Sequence, residues 1–337
     1  MTGVPLLEIR GLRAAFPGPD GPAEAVRGID LTLDPGAVLG IVGESGSGKS
    51  VAMMALLQLL PSSATVSGSA RFKGQELIGM PRRDIRQILG QDIGCIFQDP
   101  LSAFNPVLTI GAQIIEAIRL HDRRISRRAA QARTVELLES VSIPQPAQRA
   151  VQYPHEFSGG MRQRAMIAMA LANEPALLIA DEPTTALDVT VQAQILDLMR
   201  KLAEDRGIGM VLITHDLGVV AGMARDIAVM YGGRVVESGT AEEIFYDTCH
   251  PYTQGLIAAM PRLDHIGDTL TSIEGTPPSI FSRPPGCSFA PRCGLAQPAC
   301  NETDPELRRV KTTLTACLRA EEIADKRAES DIKKVAI

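Results

Sequence analysis

The chain has 337 residues, 45% of them apolar and 22% charged, which is typical of a globular protein with one large domain or two smaller ones. Its net charge of −5 argues against a general nucleic-acid binder, because such proteins usually carry a basic excess. No apolar run approaches the ~20 residues of a membrane-spanning helix, and the N-terminus lacks the basic and apolar stretches of a signal peptide. We therefore expect a cytosolic protein with reduced cysteines, which would contact a membrane only through partners.

The first part of the chain predicts strands around a glycine-rich loop. Residues 6–16 and 25–33 predict strands of an antiparallel sheet, separated by turn-forming residues. The apolar run 37–42 predicts a buried strand, and residues 51–60 have helical composition and end at Pro61. Between this strand and helix lies a complete G-x-x-x-x-G-K-S pattern, in the strand–loop–helix context that makes the pattern specific.

This pattern predicts a triphosphate-binding loop. Glycines let backbone N–H groups approach the anion closely, and the helix N-terminus adds its positive end. The lysine can reach the β- and γ-phosphates, and the last serine can place its hydroxyl on Mg²⁺. A turn that binds nothing is the alternative, which the flanking strand and helix argue against. The loop consists of Gly43, Glu44, Ser45, Gly46, Ser47, Gly48, Lys49 and Ser50.

The middle of the chain predicts a helical insertion, after which strands and helices alternate again. An apolar strand at 93–97 precedes Gln98, and residues from about 108 to 170 read as mostly helical. Ser126 is a suitable N-cap for a helix over 127–141. The other predicted elements are strands at 176–180 and 210–214, a helix at 189–205 closed by Gly207, and a hairpin over 226–238. Together they predict an α/β fold with a largely parallel core sheet.

Two further motifs carry chemistry. The strand at 176–180 ends in Asp181 and Glu182; in phosphate-loop proteins the first carboxylate holds Mg²⁺, and a second can orient or deprotonate the attacking water. Ser-Gly-Gly at 158–160 predicts a second backbone anion nest at a helix start. Since one nucleotide does not need two nests from one chain, two chains arranged head to tail could each supply one to a shared nucleotide. A solvated acidic turn and a plain helix N-cap are the alternatives.

Two features have an ordinary interpretation beside a functional one. His215 directly follows a predicted buried strand, where active-site groups of parallel sheets emerge, so a functional role is favoured over a surface histidine. The arginine-rich helical stretch predicts a solvated face, with nucleic-acid or lipid contact as the alternative. Its arginines are Arg119, Arg123, Arg124, Arg127, Arg128 and Arg133.

In this order, the motifs resemble those of the ATP-binding-cassette family over residues 6 to about 258. The resemblance rests on residues 43–50, Gln98, Ser158-Gly159-Gly160, Asp181-Glu182, Ala186-Leu187-Asp188 and His215. It implies a phosphate-loop NTPase cassette with a mixed sheet core, an antiparallel β subdomain and a helical subdomain at about 100–165. Phe157 and Met161 stand where the family commonly has Leu and Gln, and Phe16 replaces the commoner Tyr.

The resemblance also implies individual roles. Phe16 would stack on adenine, and Gln98 would contact Mg²⁺ and the attacking water and sense the membrane partner. Glu182 would be the general base, and His215 would contact the γ-phosphate. The Mg²⁺ ligands would be Ser50, Gln98 and Asp181. Asp188 would line a dimer interface, in which Ser158, Gly159 and Gly160 complete the nucleotide site of the opposite subunit.

From about residue 259 to 337 the sequence changes to a small Pro/Cys-rich extension, so we place a domain boundary after residue 258. Residues 250–253, 275–278 and 286–293 resemble the oligopeptide, dipeptide and nickel import branch, most closely its dipeptide-transport ATPase subunits. This implies ATP hydrolysis that energises peptide import, at the cytoplasmic face of the inner membrane. The implied partners are a homologous second ATPase, two transmembrane permease subunits and an extracytoplasmic solute-binding protein. Nickel or another small solute is the alternative cargo.

Four cysteines in one short segment suggest metal or cluster ligation in a reducing compartment: Cys287, Cys293, Cys300 and Cys317. Their spacing lacks the Cys-x-x-Cys pairs usual for structural zinc. Some members of the resembled branch carry an iron–sulfur cluster on such a segment, so a 4Fe-4S cluster, zinc and no metal stay open. We expect Cys95 and Cys249 to be ordinary thiols.

Three other functions stand as alternatives. A cassette ATPase without a transporter, acting on DNA or the ribosome, usually needs tandem cassettes or long coiled-coil insertions, and neither is evident here. A phosphate-loop kinase or GTPase would not need the Ser-Gly-Gly nest at 158–160. A redox sensor would make the cysteine segment the primary site.

Overall fold

The structure is a computed structural model that describes residues 4–185, 187–260 and 273–326. Within those ranges, none of the helices combines the length and the apolar character that crossing a bilayer requires. The chain divides into two compact units. Of the described residues, the first comprises 4–6, 33–37, 79–185 and 187–213, and the second comprises 7–32, 38–78, 214–260 and 273–326.

The described segments form strands and helices that alternate along the chain. The strands are β1 (Leu7–Phe16), β2 (Ala23–Leu33), β3 (Val38–Val42), β4 (Thr65–Phe72), β5 (Gln75–Glu76), β6 (Ile93–Ile96), β7 (Leu177–Asp181), β8 (Gly209–Thr214), β9 (Asp226–Tyr231), β10 (Arg234–Thr240), β11 (Arg308–Val310) and β12 (Thr313–Thr315). The helices are α1 (Lys49–Leu56), α2 (Arg82–Ile88), α3 (Pro100–Ala103), α4 (Ile110–His121), α5 (Arg127–Ser140), α6 (Pro146–Arg149), α7 (Gly159–Ala170), α8 (Val189–Arg206), α9 (Leu217–Ala221), α10 (Ala241–Tyr246), α11 (Pro251–Ala258) and α12 (Pro298–Glu302). Short 3-10 helices lie at Pro154–Glu156 and Ala290–Arg292.

The first unit holds three parallel strands in the order β8-β7-β6. Every residue of β7 is buried, which explains its continuous apolar sequence. The predicted helical insertion is confirmed, because α3 to α7 lie between β6 and β7 along the chain. Ser126 caps α5, as predicted, and α8 ends at Gly207 in the left-handed conformation with φ 63°.

The arginine-rich stretch lies in α4, α5 and their connection. Five of its six arginines are exposed, which agrees with the predicted solvated face. Arg133 differs, since its guanidinium donates to the Ala172 carbonyl at 2.9 and 3.0 Å and pairs with Glu174 at 3.1 Å. This arginine therefore ties α5 to the turn before β7.

The second unit holds an antiparallel sheet in the order β2-β1-β4-β5 and a run of strands in the order β11-β12-β10-β9-β3. In that run β3 and β9 are parallel, whereas β9 and β10 form the predicted hairpin and pair antiparallel. Glu237 of β10 pairs with Thr315 of β12. The last strands of the C-terminal extension therefore continue a sheet of this unit rather than forming a separate tail.

The first helix differs from its prediction. It spans Lys49–Leu56 rather than 51–60, because Gln58 takes the left-handed conformation with φ 55°. The Gln58 side chain then donates to the Leu77 carbonyl at 2.7 Å. An apolar sequence does not show that a contact 19 positions away accompanies the end of this helix.

Candidate functional site

The glycine-rich loop joins β3 to α1 in the second unit, and two of its glycines are required by their surroundings. Gly43 has φ 153°, and a Cβ there would lie 2.2 Å from the Met230 carbonyl oxygen. Gly48 has φ 99°, and a Cβ there would lie 2.6 Å from the Ala25 carbonyl oxygen. Both values are far inside van der Waals contact, so a side chain would displace the loop. The two glycines are therefore needed for the loop to take its curled backbone conformation against the neighbouring strands.

Lys49 lies on this loop and is only 5% exposed. Its ammonium donates to the carbonyl oxygens of Gly43 at 2.6 Å and Glu44 at 3.0 Å, and lies 3.5 Å from the Ser47 hydroxyl. Ser50, partly exposed, lies in the first turn of α1. The positive charge is therefore positioned on the loop by the loop's own backbone, with the helix N-terminus beside it.

The acidic pair lies in the first unit. Asp181 ends β7 and is 9% exposed. The Glu182 carboxylate accepts hydrogen bonds from the Gln98 amide at 3.0 Å and from the Thr185 hydroxyl at 2.8 Å. Two predicted catalytic residues, Gln98 and Glu182, are thus brought together although 84 positions separate them. These contacts fix the orientation of the carboxylate that is expected to act on water.

The Ser-Gly-Gly motif forms the N-terminus of α7, as predicted. The Ser158 hydroxyl caps the helix by accepting from the Met161 N–H at 3.3 Å, and both Ser158 and Gly159 are exposed. A Cβ on Gly160 would lie 2.9 Å from a methyl group of Val191 in α8, so glycine permits this close approach. The first N–H groups of α7 are therefore presented at an exposed helix end.

The start of α8 lies beside this motif. Asp188 caps α8 by accepting from the Val191 N–H at 2.9 Å, and the adjacent Val189 is 83% exposed. Ala186, which the sequence motif includes, lies outside the described residues. The N-termini of α7 and α8 therefore both lie at exposed surface.

Two predicted site residues, Phe16 and His215, lie at the C-terminal ends of strands. Phe16 ends β1 and is partly exposed, and His215 is exposed directly after β8. Their roles in adenine stacking and γ-phosphate contact stay predictions.

The four clustered cysteines, Cys287, Cys293, Cys300 and Cys317, line one small cavity, together with His250 and Phe289. All four are free thiols. Burial raises the pKa of Cys287 and Cys293, and raises that of Cys317 to about 12. Across the described ranges, however, no group of three or more His, Cys, Asp or Glu residues is arranged to hold a metal ion. The cluster therefore stays a prediction.

The other two cysteines are ordinary thiols, as expected. Cys249 is buried in an apolar cluster with Val310, Ala320 and Ala324. Burial raises the pKa of Cys249, and raises that of Cys95 to about 12, so neither thiol has the character of a reactive nucleophile.

Sequence reasoning missed the residues that contact the phosphate loop from the C-terminal side. Arg292 pairs with the Glu44 carboxylate, and the Tyr252 hydroxyl accepts from the Glu44 N–H at 2.8 Å. Both residues lie in segments that the sequence singled out only for their resemblance to an import branch. The only sequence signal for them was the resemblance of these segments to the import branch.

Comparison with known proteins gives consistent matches. The family model "ABC transporter" matches residues 26–185, and the model "Oligopeptide/dipeptide transporter, C-terminal region" matches residues 236–300. The chain is 50% identical to the oligopeptide transport ATP-binding protein OppD of Haemophilus influenzae, covering 88% of this chain and 91% of that protein. It is also 50% identical to OppD of Mycobacterium tuberculosis, covering 98% of this chain but only 54% of that protein. The chain thus spans about half the length of the mycobacterial relative.

Among solved structures, the chain is similar to the ATP-binding cassette MJ0796 in a dimeric, post-hydrolysis state bound to ADP and Pi. The TM-score is 0.63 and the identity 26%, over 70% of this chain and 98% of the other. This likeness agrees with the phosphate-loop fold expected from the sequence.

Proposed function

The chain belongs to the ABC transporter family, on the branch of oligopeptide transport ATP-binding proteins, and we propose that it binds and hydrolyses ATP to drive the import of di- or oligopeptides. The observation that carries this proposal is the Glu182 carboxylate, which Gln98 and Thr185 orient directly after Asp181. A simple nucleotide-binding protein does not need an oriented base at this position.

The residues fit ATP and Mg²⁺. The loop from Gly43 to Ser50 has a curled backbone and a fixed ammonium, which suit a triphosphate. The Mg²⁺ ligands in the proposal are Ser50, Gln98 and Asp181, and the bound ion would neutralise charge on the phosphates. Glu182 takes a proton from the attacking water, His215 contacts the γ-phosphate and Phe16 stacks on adenine.

The proposed assembly is a head-to-tail pair of cassettes. The exposed N-terminus of α7, at Ser158 to Gly160, would face the triphosphate bound by the second ATPase, and Asp188 would line the interface. Ser158, Gly159 and Asp188 are all exposed, which leaves this surface accessible to a second chain. The dimeric state of the similar cassette MJ0796 also supports the proposal.

We place this assembly at the cytoplasmic face of the inner membrane. Its other members would be two transmembrane permease subunits and an extracytoplasmic solute-binding protein. Residues 1–258 would form the ATP-binding domain, with its helical subdomain at about 100–165, and residues 259–337 the C-terminal region. Of that region, 261–272 and 327–337 lie outside the described residues.

The cysteine cavity is proposed to hold a 4Fe-4S cluster through Cys287, Cys293, Cys300 and Cys317. All four cysteines line this cavity, but in the described residues they are not arranged as a metal-binding group, so cluster binding would require their side chains to rearrange. Protein purified without oxygen should show visible absorbance and contain iron and sulfide, and Cys300→Ser should lose both. Colourless protein that contains zinc, or no metal, would contradict the cluster.

Glu182→Gln tests the catalytic proposal. In the assembled transporter this change should lower ATP turnover by ~10²–10⁴-fold while ATP binding is kept, because it removes only the base. Glu204→Gln, at an exposed glutamate of α8, is the matched control and should leave turnover unchanged. Unchanged turnover in Glu182→Gln would refute the assignment. If Ni²⁺ stimulated turnover and peptides did not, the proposed cargo would change from peptides to nickel, and the proposed ATP hydrolysis would stand.

A further inference from the structure

Arg292 of the C-terminal region forms an ion pair with Glu44 of the phosphate loop, and we propose that this arginine is a positioning residue for nucleotide binding. The inference rests on the proposed function, since it concerns how the same loop is held ready for ATP. It assigns to the C-terminal region a direct effect on ATP affinity.

The pair is bidentate and largely withdrawn from water. Nη1 of Arg292 donates to Oε2 of Glu44 at 2.6 Å, and Nη2 donates to Oε1 at 3.0 Å. The arginine side chain is 5% exposed, and the glutamate side chain is 26% exposed. Charge-assisted pairs of this fork geometry are among the stronger and more directional hydrogen bonds in proteins. Hydrogen bonding to Glu44 raises the pKa of Arg292, so the guanidinium stays charged.

Every donor of the guanidinium is used. Besides Glu44, Nη1 donates to the Tyr231 hydroxyl at 3.2 Å and Nη2 to the Ile273 carbonyl at 3.1 Å, while Nε donates to the Glu274 carbonyl at 2.9 Å. These contacts account for all five N–H groups of an arginine. The group also lies 5.8 Å from the ring centre of Tyr231. The arginine is therefore held rigidly, and it can in turn fix Glu44.

Glu44 is held at three points. Its carboxylate is bound by Arg292, its N–H donates to the hydroxyl of fully buried Tyr252 at 2.8 Å, and its carbonyl accepts from the Lys49 ammonium at 3.0 Å. Two of these three anchors belong to residues after position 250. The backbone that positions Lys49 is thus fixed by the C-terminal side of the same unit.

The charge of Glu44 gives the pair a consequence for ligand binding. A carboxylate in a loop that binds a polyanion opposes binding unless a cation neutralises it. Arg292 supplies that cation without occupying the loop itself. Loss of Arg292 should therefore weaken ATP binding more than it slows the chemical step.

A double-mutant cycle on the full-length chain tests this directly, with Mg²⁺-ATP titrated by calorimetry. Arg292→Gln should raise the Kd for ATP about tenfold, because it leaves an uncompensated carboxylate near the phosphates. Glu44→Gln removes the carboxylate that Arg292 neutralises, so adding Arg292→Gln to it should raise the Kd for ATP by less than about threefold more. In the assembled transporter, Arg292→Gln should raise the KM for ATP while kcat changes less than about threefold.

Arg283→Gln is the matched control. Arg283 is another partly buried arginine of the C-terminal region, and it donates to the Glu24 carbonyl in β2 rather than to the phosphate loop. It should leave the Kd for ATP unchanged. Equal weakening by Arg283→Gln and Arg292→Gln would show a general packing effect and overturn the inference. The inference would also fail if Arg292→Gln cost the same ATP affinity in the parent chain and in the Glu44→Gln variant.

If Arg292→Gln fails to fold, Arg292→Lys provides a second test. Arg292→Lys keeps the charge and loses the fork, so it should weaken ATP binding about threefold, and less after Glu44→Gln. If Arg292→Lys binds ATP as the parent does, the inference is wrong. Absence of ATP binding by the parent chain would instead refute the proposed function, so the two failures are distinguishable.

Discussion

The phosphate loop and the N-terminus of α7 both present backbone N–H groups suited to an anion, yet they are completed differently. In the loop, Lys49 donates to the Gly43 carbonyl, the Glu44 N–H donates to the Tyr252 hydroxyl, and the Glu44 carboxylate accepts from Arg292 of the same unit. At α7, Ser158 satisfies its own helix end, and the surface around it is exposed. The loop is thus preorganised by its own chain, whereas we expect the helix end to act only when another chain brings a nucleotide to it.

The largest predicted effect separates these two regions. Lys49→Ala and Ser158→Arg should each lower turnover of the assembled transporter by at least about 100-fold, because each removes stabilisation of the phosphates. Only Lys49→Ala should abolish ATP binding by the isolated chain, as measured by calorimetry. Ser158→Arg would prevent the second chain from approaching α7 and would leave the phosphate loop unchanged.

Ser126→Arg is a matched control for Ser158→Arg. Ser126 is also an exposed N-cap serine, and its hydroxyl accepts from the Ala129 N–H at 3.1 Å. Both changes should cost about 1 kcal/mol of stability, and only the one at 158 should stop turnover. If turnover survived Ser158→Arg, the result would favour a kinase or GTPase. It would also show that the N-terminus of α7 does not act on a nucleotide as the phosphate loop does.

A smaller effect is expected from Gln98→Ala. Removing the hydrogen bond to the Glu182 carboxylate should lower turnover about tenfold, because Thr185 still orients the base. ATP affinity of the isolated chain should fall less than turnover, because Ser50 and Asp181 remain as proposed Mg²⁺ ligands. Gln131→Ala, at an exposed position of α5, is the control. A loss of ATP affinity equal to the loss of turnover would show that Gln98 acts in binding rather than in catalysis.

The smallest predicted effect is a pH dependence of the free energy of unfolding that arises from His250, close to the Tyr252 contact with the phosphate loop. His250 caps α11, which carries Tyr252, and burial lowers the pKa of His250 to about 4 from 6.5. As the pH falls, His250 therefore binds a proton in the unfolded chain before it does so in the folded chain. The contribution of neutral His250 to the free energy of unfolding is complete above pH 6.5 and declines towards pH 4. Between about pH 7.5 and about pH 5.5 it should remove about 1.4 kcal/mol from the free energy of unfolding.

Urea unfolding at the two pH values measures this loss. His250→Asn supplies a side-chain oxygen that can accept from the Tyr252 N–H in place of the ring nitrogen, and it should remove this contribution, whereas His155→Asn, at an exposed histidine, should retain it. An unaltered pH dependence in His250→Asn would show that the buried histidine is not the source.

The sequence predicted those parts of the molecule that local patterns determine. The strand before the loop, the Ser126 cap and the Gly207 helix end each follow from neighbouring residues, and the structure confirms them. The functional motifs were assigned because their order resembles a family. Contacts across long sequence separations were not predictable in this way. Arg292 and Glu44 are 248 positions apart, and only the folded chain shows that they meet.

The central claim is that this chain holds one nucleotide by its loop and completes the site of another through α7. A structure of the assembled ATPase pair, with Glu182→Gln to retain Mg²⁺-ATP, tests it most directly. We predict that N–H groups of residues 158–160 lie within about 3.2 Å of the γ-phosphate oxygens of the nucleotide on the second ATPase. A nucleotide-loaded pair in which these residues face solvent, remote from any triphosphate, would contradict the account.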